Sequence, residues 1–169
     1  PPPRASRRQR QMCIRDRDYA TAHCSGGAEM LAAAVAAGGP AVSVLGVTVL
    51  TSVTPDSATD LNALVLERAA LAQTAGCAGV ICSAWEVAAI KRQCGKSFVS
   101  ITPGIRPPGY RAGNDEDQGR VMTPARAVAQ GADYLVVGRP IRDAADPAAM
   151  ADAIAADIVA TAGAMSPPG

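Results

Sequence analysis

Two hydrophobic patterns alternate along the chain from Asp18 onward. Short β-branched runs end in Gly, Ser, Thr or Pro, and Ala-rich stretches with helical spacing follow them. The runs predict strands at 19–23, 42–50, 79–82, 98–102 and 134–138. The stretches that follow predict helices at 29–37, 61–74, 85–94, 124–130 and 147–162. Asp146 before Pro147, and Thr123 before Pro124, read as N-caps followed by a first-turn proline. Gly38, Gly76 and Gly131 stand where a left-handed residue closes a helix. Ser83 and Glu86 have the spacing of a capping box.

Runs such as VSVLGVTVL and YLVVG are nearly continuous in apolar residues, which predicts strands buried on both faces. Helices must then cover a parallel sheet. Five β/α units in series fit a doubly wound sheet or part of a (β/α)₈ barrel, a fold that usually takes ~250 residues. Pattern alone leaves both open. In either, the C-terminal ends of the strands share one face, where ligands bind. Polar residues gather at those ends: His23 and Ser25, Thr51 and Ser52, Ser83, Thr102 and Arg106, and Gly138 and Arg139.

Composition narrows the class. Apolar residues make up 49% and aromatics 3%, so Ala, Val, Leu and Ile must build the core. The apolar stretches break well before the ~18 residues of a membrane span, and no signal-peptide core is present. The net charge of +1 conceals an asymmetry, because residues 1–17 hold six Arg and one acid, leaving 10 basic and 14 acidic groups in the other 152. An acidic body argues against a nucleic-acid surface. Residues 1–17 begin with three prolines, lack periodicity and have the composition of disorder. They read as a disordered leader, an Arg-rich arm or transit peptide, or translated adapter sequence from an assembly artefact. The domain is expected at 18–163, with a disordered tail at 164–169. The five cysteines (Cys13, Cys24, Cys77, Cys82 and Cys94) form no CxxC pair, and His23 is the only histidine. No zinc spacing can be assembled, and buried small apolar side chains in a reducing cytosol are expected.

Two strand ends carry the strongest chemistry. Gly138-Arg139-Pro140 closes an apolar strand. A glycine lets backbone N–H groups approach a phosphate, and an arginine adds a charge-assisted clamp. The bland alternative is a turn with a surface arginine. Thr102-Pro103-Gly104-Ile105-Arg106 opens a long polar loop that runs to Arg120. Within it Arg106 could pair with an anion and Gln118 could close over one, as loops of this length often do; the alternative is solvated loop charge. Thr51 and Ser83 are strand-end hydroxyls able to bond a ligand, although Ser83 has its capping role. His23 lacks a titratable neighbour in sequence and reads as a hydrogen-bonded structural histidine rather than a general base.

These motifs together resemble a known family. ITPGIRP…GNDEDQGRVMTPARAVAQGADYLVVGRPI is similar to the C-terminal part of orotidine 5′-phosphate decarboxylase. TAHCSGGAEML, VLGVTVLTS and GVICSAWE resemble its middle strands, in order, so the resemblance spans about 18–158. The resemblance implies a (β/α)₈ barrel of the ribulose-phosphate-binding type and a cytoplasmic homodimer. It implies a carbon–carbon lyase acting in the last step of pyrimidine synthesis. Orotidine 5′-monophosphate becomes uridine 5′-monophosphate and carbon dioxide, with no metal or cofactor. Gln118, Gly138 and Arg139 then match phosphate-binding positions. Arg106 matches a ligand-binding arginine, Thr51 a ligand-contacting threonine, and Ser83 the serine that faces the pyrimidine.

One part of the family pattern has no counterpart in these residues. The resemblance implies a catalytic Asp-x-Lys-x-x-Asp array on the barrel's third strand, where charge stabilises a developing carbanion and a lysine supplies a proton. The chain has two lysines, Lys91 and Lys96, and neither stands in such a motif. The five strands align with the fourth to eighth of a barrel, truncated at its N-terminal side to about five β/α units. The chain is therefore expected to recognise phosphate and base and to be inactive alone. A non-catalytic phosphate- or nucleotide-binding module, or another phosphate-handling barrel enzyme, is the alternative.

Overall fold

The computed structural model describes residues 17–50, 60–110 and 120–165. Five parallel strands form one sheet in chain order: β1 (Tyr19–His23), β2 (Ser43–Val47), β3 (Gly79–Ile81), β4 (Val99–Thr102) and β5 (Tyr134–Leu135). The helices between and after them are α1 (Gly27–Gly38), α2 (Leu61–Thr74), α3 (Val87–Cys94), α4 (Pro124–Ala129), α5 (Arg139–Arg142) and α6 (Pro147–Met165).

The sequential strand order decides between the two architectures that pattern left open. A doubly wound sheet reverses its order at a switch point. Here each crossover steps to the next strand in the same direction. Parallel crossovers are right-handed, so repeated steps in one direction place every helix on the same face, as in a barrel. The sheet also curls. The ring of Tyr19 on β1 meets that of Tyr134 on β5 edge-on, with centroids 6.0 Å apart and planes at 61°.

The core lies between the middle strands and the helices. Val44, Val65, Ala69, Ala72, Val80, Val87 and Ile90 are buried there, while Leu45, buried too, points to the other face of β2. Gly79 is required where β3 meets β4, since a Cβ at that position would lie 2.1 Å from the Val99 carbonyl oxygen. Two glutamines tie α2 to α3: Gln73 Nε2 donates to the Cys94 carbonyl (2.7 Å) and Gln93 Nε2 to that of Leu66 (3.0 Å). The caps at Thr123 and Asp146 form as expected, accepting from the Arg126 amide and from the Ala148 and Ala149 amides. Asp60 adds one at α2, accepting from the amides of Asn62 and Ala63.

Several expectations are corrected. The YLVVG run is not buried on both faces, because nothing among the described residues covers its second face: Tyr134 and Val136 are half exposed while Leu135 and Val137 pack inward. Gly38 is right-handed and belongs to α1; Gly39 takes the left-handed turn at φ +57°. The capping box at Ser83 does not organise α3. That helix starts at Val87, the Ser83 hydroxyl accepts from the Trp85 amide rather than that of Glu86, and the Glu86 carboxyl, beside the Ser83 amide, pairs with a distant arginine. His23 is exposed at the end of β1, which among the described strands pairs only with β2. Helix α6 runs to Met165, past the predicted end at 162. Cys24, Cys77, Cys82 and Cys94 are buried free thiols, as expected; Cys13 lies outside the described residues.

Candidate functional site

All five strands run the same way, so their C-terminal ends form one rim. A cleft of about 400 Å³ opens on that rim beyond β4 and β5, lined by Pro103, Gly104, Arg106, Val136, Gly138, Arg139 and Arg142. Three guanidinium-bearing side chains thus converge on one concavity, between two glycine-containing strand ends. Such a set favours an anion, and above all a phosphate, since planar guanidinium forks bond two oxygens at once.

Each part is placed by local chemistry. Past Thr102 the chain turns through Gly104, at φ +76°, which a side-chain-bearing residue rarely adopts. Ile105, fully buried, pairs in parallel with Met122, and the Arg106 amide donates to the Met122 carbonyl at 2.9 Å. Both ends of the long loop are therefore pinned beside the cleft. The Arg106 guanidinium donates to the Ile105 carbonyl at 3.0 Å and lies 5.6 Å from the centre of the Tyr110 ring. These contacts hold an arginine that would otherwise sample many rotamers.

On the other wall Gly138 precedes α5. Its carbonyl accepts from the amides of Ile141 and Arg142, at 3.1 and 3.0 Å, and Pro140 is buried beneath. A Cβ at Gly138 would meet nothing within 4 Å, so the space above that backbone is open to a ligand. The short helix at 139–142 leaves no trace in the sequence pattern, because four residues carry no periodicity. It brings Arg142 to the cleft, a residue the sequence did not single out. Arg142 is exposed and makes a two-pronged ion pair with Asp143, at 2.6 and 2.9 Å.

Of the six residues proposed from sequence, Arg106, Gly138 and Arg139 line the cleft together. Ser83 stands on the same rim after β3 but is fully buried, and its Oγ accepts from the Trp85 amide at 3.4 Å. Thr51 and Gln118 lie outside the described residues.

A second cluster on the rim was missed. Glu86, 4% exposed, forms an ion pair with Arg120, 34 residues away. Burial pushes the Glu86 carboxyl above its ordinary pKa, and Arg120 and the Ser83 amide pull it back only in part. Arg120 also donates to the Leu50 carbonyl at 3.4 Å, and Trp85 Nε1 donates to the Val121 carbonyl at 3.2 Å. The sequence signal was the Ser83–Glu86 spacing, which a local cap and a long-range pair share.

The profile of the orotidine 5′-phosphate decarboxylase / HUMPS family matches residues 9–154. The chain is 50% identical over 151 residues to the orotidine 5′-phosphate decarboxylase of Desulfosudis oleivorans, a match covering 83% of this chain and 60% of that protein. It is 50% identical over 144 residues to the enzyme of the same name from Anaeromyxobacter dehalogenans, covering 82% and 62%. Among solved structures, orotidine 5′-phosphate decarboxylase from Lactobacillus acidophilus superposes with a TM-score of 0.67 at 33% identity, over 83% of this chain and 62% of that one. The chain thus spans about three-fifths of the length of these relatives.

Proposed function

The chain belongs to the orotidine 5′-phosphate decarboxylase / HUMPS family, and its strands are consecutive β/α units of that family's barrel. From this premise we propose that its residues form the phosphate- and base-recognising part of an enzyme that decarboxylates orotidine 5′-monophosphate to uridine 5′-monophosphate. In the whole protein that enzyme is a cytoplasmic homodimer. The observation that carries the reading is the cleft in which Arg106 and Arg139 flank the open backbone of Gly138.

The reaction breaks the bond between the pyrimidine ring and its carboxylate. Carbon dioxide leaves, the bonding pair stays on the ring carbon, and a proton then takes it up. The ribose 5′-phosphate is remote from that bond. Its binding energy serves catalysis when it holds the ring against the groups that stabilise the developing charge. In this reading Arg139 and the Gly138 backbone receive the phosphate, with Gln118 closing over it. Arg106 supports the ligand from β4, while Thr51 and Ser83 address the ribose and base. The Asp/Lys array does not occur within the 169 residues, so these residues alone bind nucleotide and do not turn it over.

Titration calorimetry with uridine 5′-monophosphate on the chain and on Arg139→Ala tests this. A charge-assisted hydrogen bond contributes about 1.5–3 kcal/mol, so the substitution is expected to weaken binding about 10- to 150-fold. Equal affinity in the two proteins overturns the phosphate site. Release of carbon dioxide from orotidine 5′-monophosphate by the 169-residue chain overturns the argument from the array.

A further inference from the structure

The Glu86–Arg120 pair is an expensive way to hold a fold together. Glu86 is 4% exposed and the Arg120 side chain 16%, so both charges have lost most of their water. Among the described residues Glu86 Oε2 and Arg120 Nε are buried and find no hydrogen-bond partner. A buried ion pair with unsatisfied atoms is no more stabilising than apolar residues of the same size, and often less. Its value lies in fixing which groups meet.

What meets here is three separate strand ends. Glu86 lies on the turn after β3, three residues beyond Ser83. Arg120 lies at the return of the loop that leaves β4 through Arg106. The Arg120 guanidinium continues to the Leu50 carbonyl beyond β2. Two further contacts run in parallel: Trp85 Nε1 donates to the Val121 carbonyl, and the Arg126 guanidinium sits 5.6 Å from the centre of the Trp85 ring. The Ser83 turn is thereby tied to the segment whose next residue, Met122, pins Arg106 through its amide.

We propose that Glu86 and Arg120 are positioning residues, whose pairing sets the Ser83 turn relative to the Arg106 wall of the phosphate cleft, so that base and phosphate are recognised together. The proposal rests on the nucleotide-binding reading above. The pair touches no ligand itself. It fixes the distance between two walls that are carried by different β/α units.

The test compares uridine 5′-monophosphate with ribose 5-phosphate, which keeps the phosphate and lacks the base. Glu86→Gln is expected to lower the ratio of the two affinities about tenfold, the size of an ordinary coupling between sites, because the cleft itself is untouched. Arg120→Gln is expected to do the same, and the double variant to be no worse than the worse single. A ratio unchanged in the single variants, or losses that multiply in the double, overturns the proposal. If the unsubstituted chain binds neither ligand, the nucleotide reading fails. Amide hydrogen exchange then still decides the positioning role. Glu86→Gln is expected to speed exchange at the amides of Met122 and Arg106, which bond the Gly104 and Met122 carbonyls beside the contact, and unchanged rates there overturn it. Arg120→Lys keeps the charge and loses the fork, and is read the same way if Glu86→Gln does not fold. Failure of both to fold makes the pair a stability element and also overturns the proposal.

Discussion

Asp133→Ala removes the pin at the opposite end of the sheet from the cleft. Three donors converge on one oxygen of Asp133: Lys91 Nζ at 2.6 Å, the Ser100 amide at 2.7 Å and Ser100 Oγ at 3.0 Å. They join α3, β4 and the start of β5. Ser100 is fully buried, so its amide, left alone, costs about 1–3 kcal/mol. Its hydroxyl retains the Gly131 carbonyl at 3.4 Å, and Lys91 retains the carbonyls of Lys96 and Phe98 at 3.0 and 2.8 Å. The Asp133 side chain is 36% exposed, so solvent screens the ion pair, and its loss adds at most about 1 kcal/mol. The expected cost is about 1–4 kcal/mol, or roughly 2–16 °C in Tm. Urea unfolding at pH 7, followed by circular dichroism, should show a lower midpoint with an unchanged slope. The difference must also depend on pH. Burial alone would raise the Asp133 pKa, but the bonds from Lys91 and Ser100 outweigh it and hold the carboxyl below its usual value. A carboxyl depressed in the folded state stabilises above its unfolded value, near about 3.9, and that contribution is lost as pH falls through the folded value. The gap between the two proteins should therefore be constant from neutral pH down to about 5 and close in stronger acid. A gap under about 0.5 kcal/mol at pH 7, or one that widens on acidification, would show that Asp133 does not pin the sheet.

Other expectations follow from packing and burial. Gly79→Ala drives a methyl into the Val99 backbone and is expected to abolish cooperative folding, where Gly38→Ala, whose methyl meets the Val44 side chain at an ordinary 3.6 Å, costs little; equal melting of the two would contradict the close approach. Burial pushes the Cys82 thiol up to about 12 and that of Cys24 to about 11. Neither should react with iodoacetamide at pH 8 until urea unfolds the chain, and rapid labelling of the native protein would contradict their burial. Strands β1 and β5 each leave one edge unpaired within this sheet, and unpaired edges favour association. The 169-residue chain is expected to self-associate or melt early, whereas a monomeric, cooperative transition above ~50 °C would contradict it, being ordinary for an intact mesophile domain.

Strand and helix positions were legible because β-branched runs and Ala-rich stretches differ in period, and because Asp and Thr beside Pro mark helix starts. Strand ends were less so. The run at 42–50 ends as a strand at Val47, and the run at 134–138 at Leu135, because a ladder lasts only as long as its partner. The last bond of β5 is that of the Val136 amide to the Thr102 carbonyl, where β4 itself stops. Choosing a barrel over a doubly wound sheet needed the family motifs or the strand order, since both folds share one local pattern. Arg106, Gly138 and Arg139 could be read as a site from their place after apolar strands. Glu86 could not, since Arg120 lies 34 residues away and no local rule links them. Arg142 was hidden by the brevity of α5.

If the rim cleft holds the phosphate of a pyrimidine nucleotide, removing that phosphate must weaken binding. Parallel calorimetric titrations of the chain with uridine 5′-monophosphate and with uridine isolate that group in one comparison. A measurable affinity is expected for the nucleotide and at least about a tenfold weaker one for the nucleoside, the loss of one charge-assisted contact or more. Equal affinity for the two, or tighter binding of uridine, would contradict it.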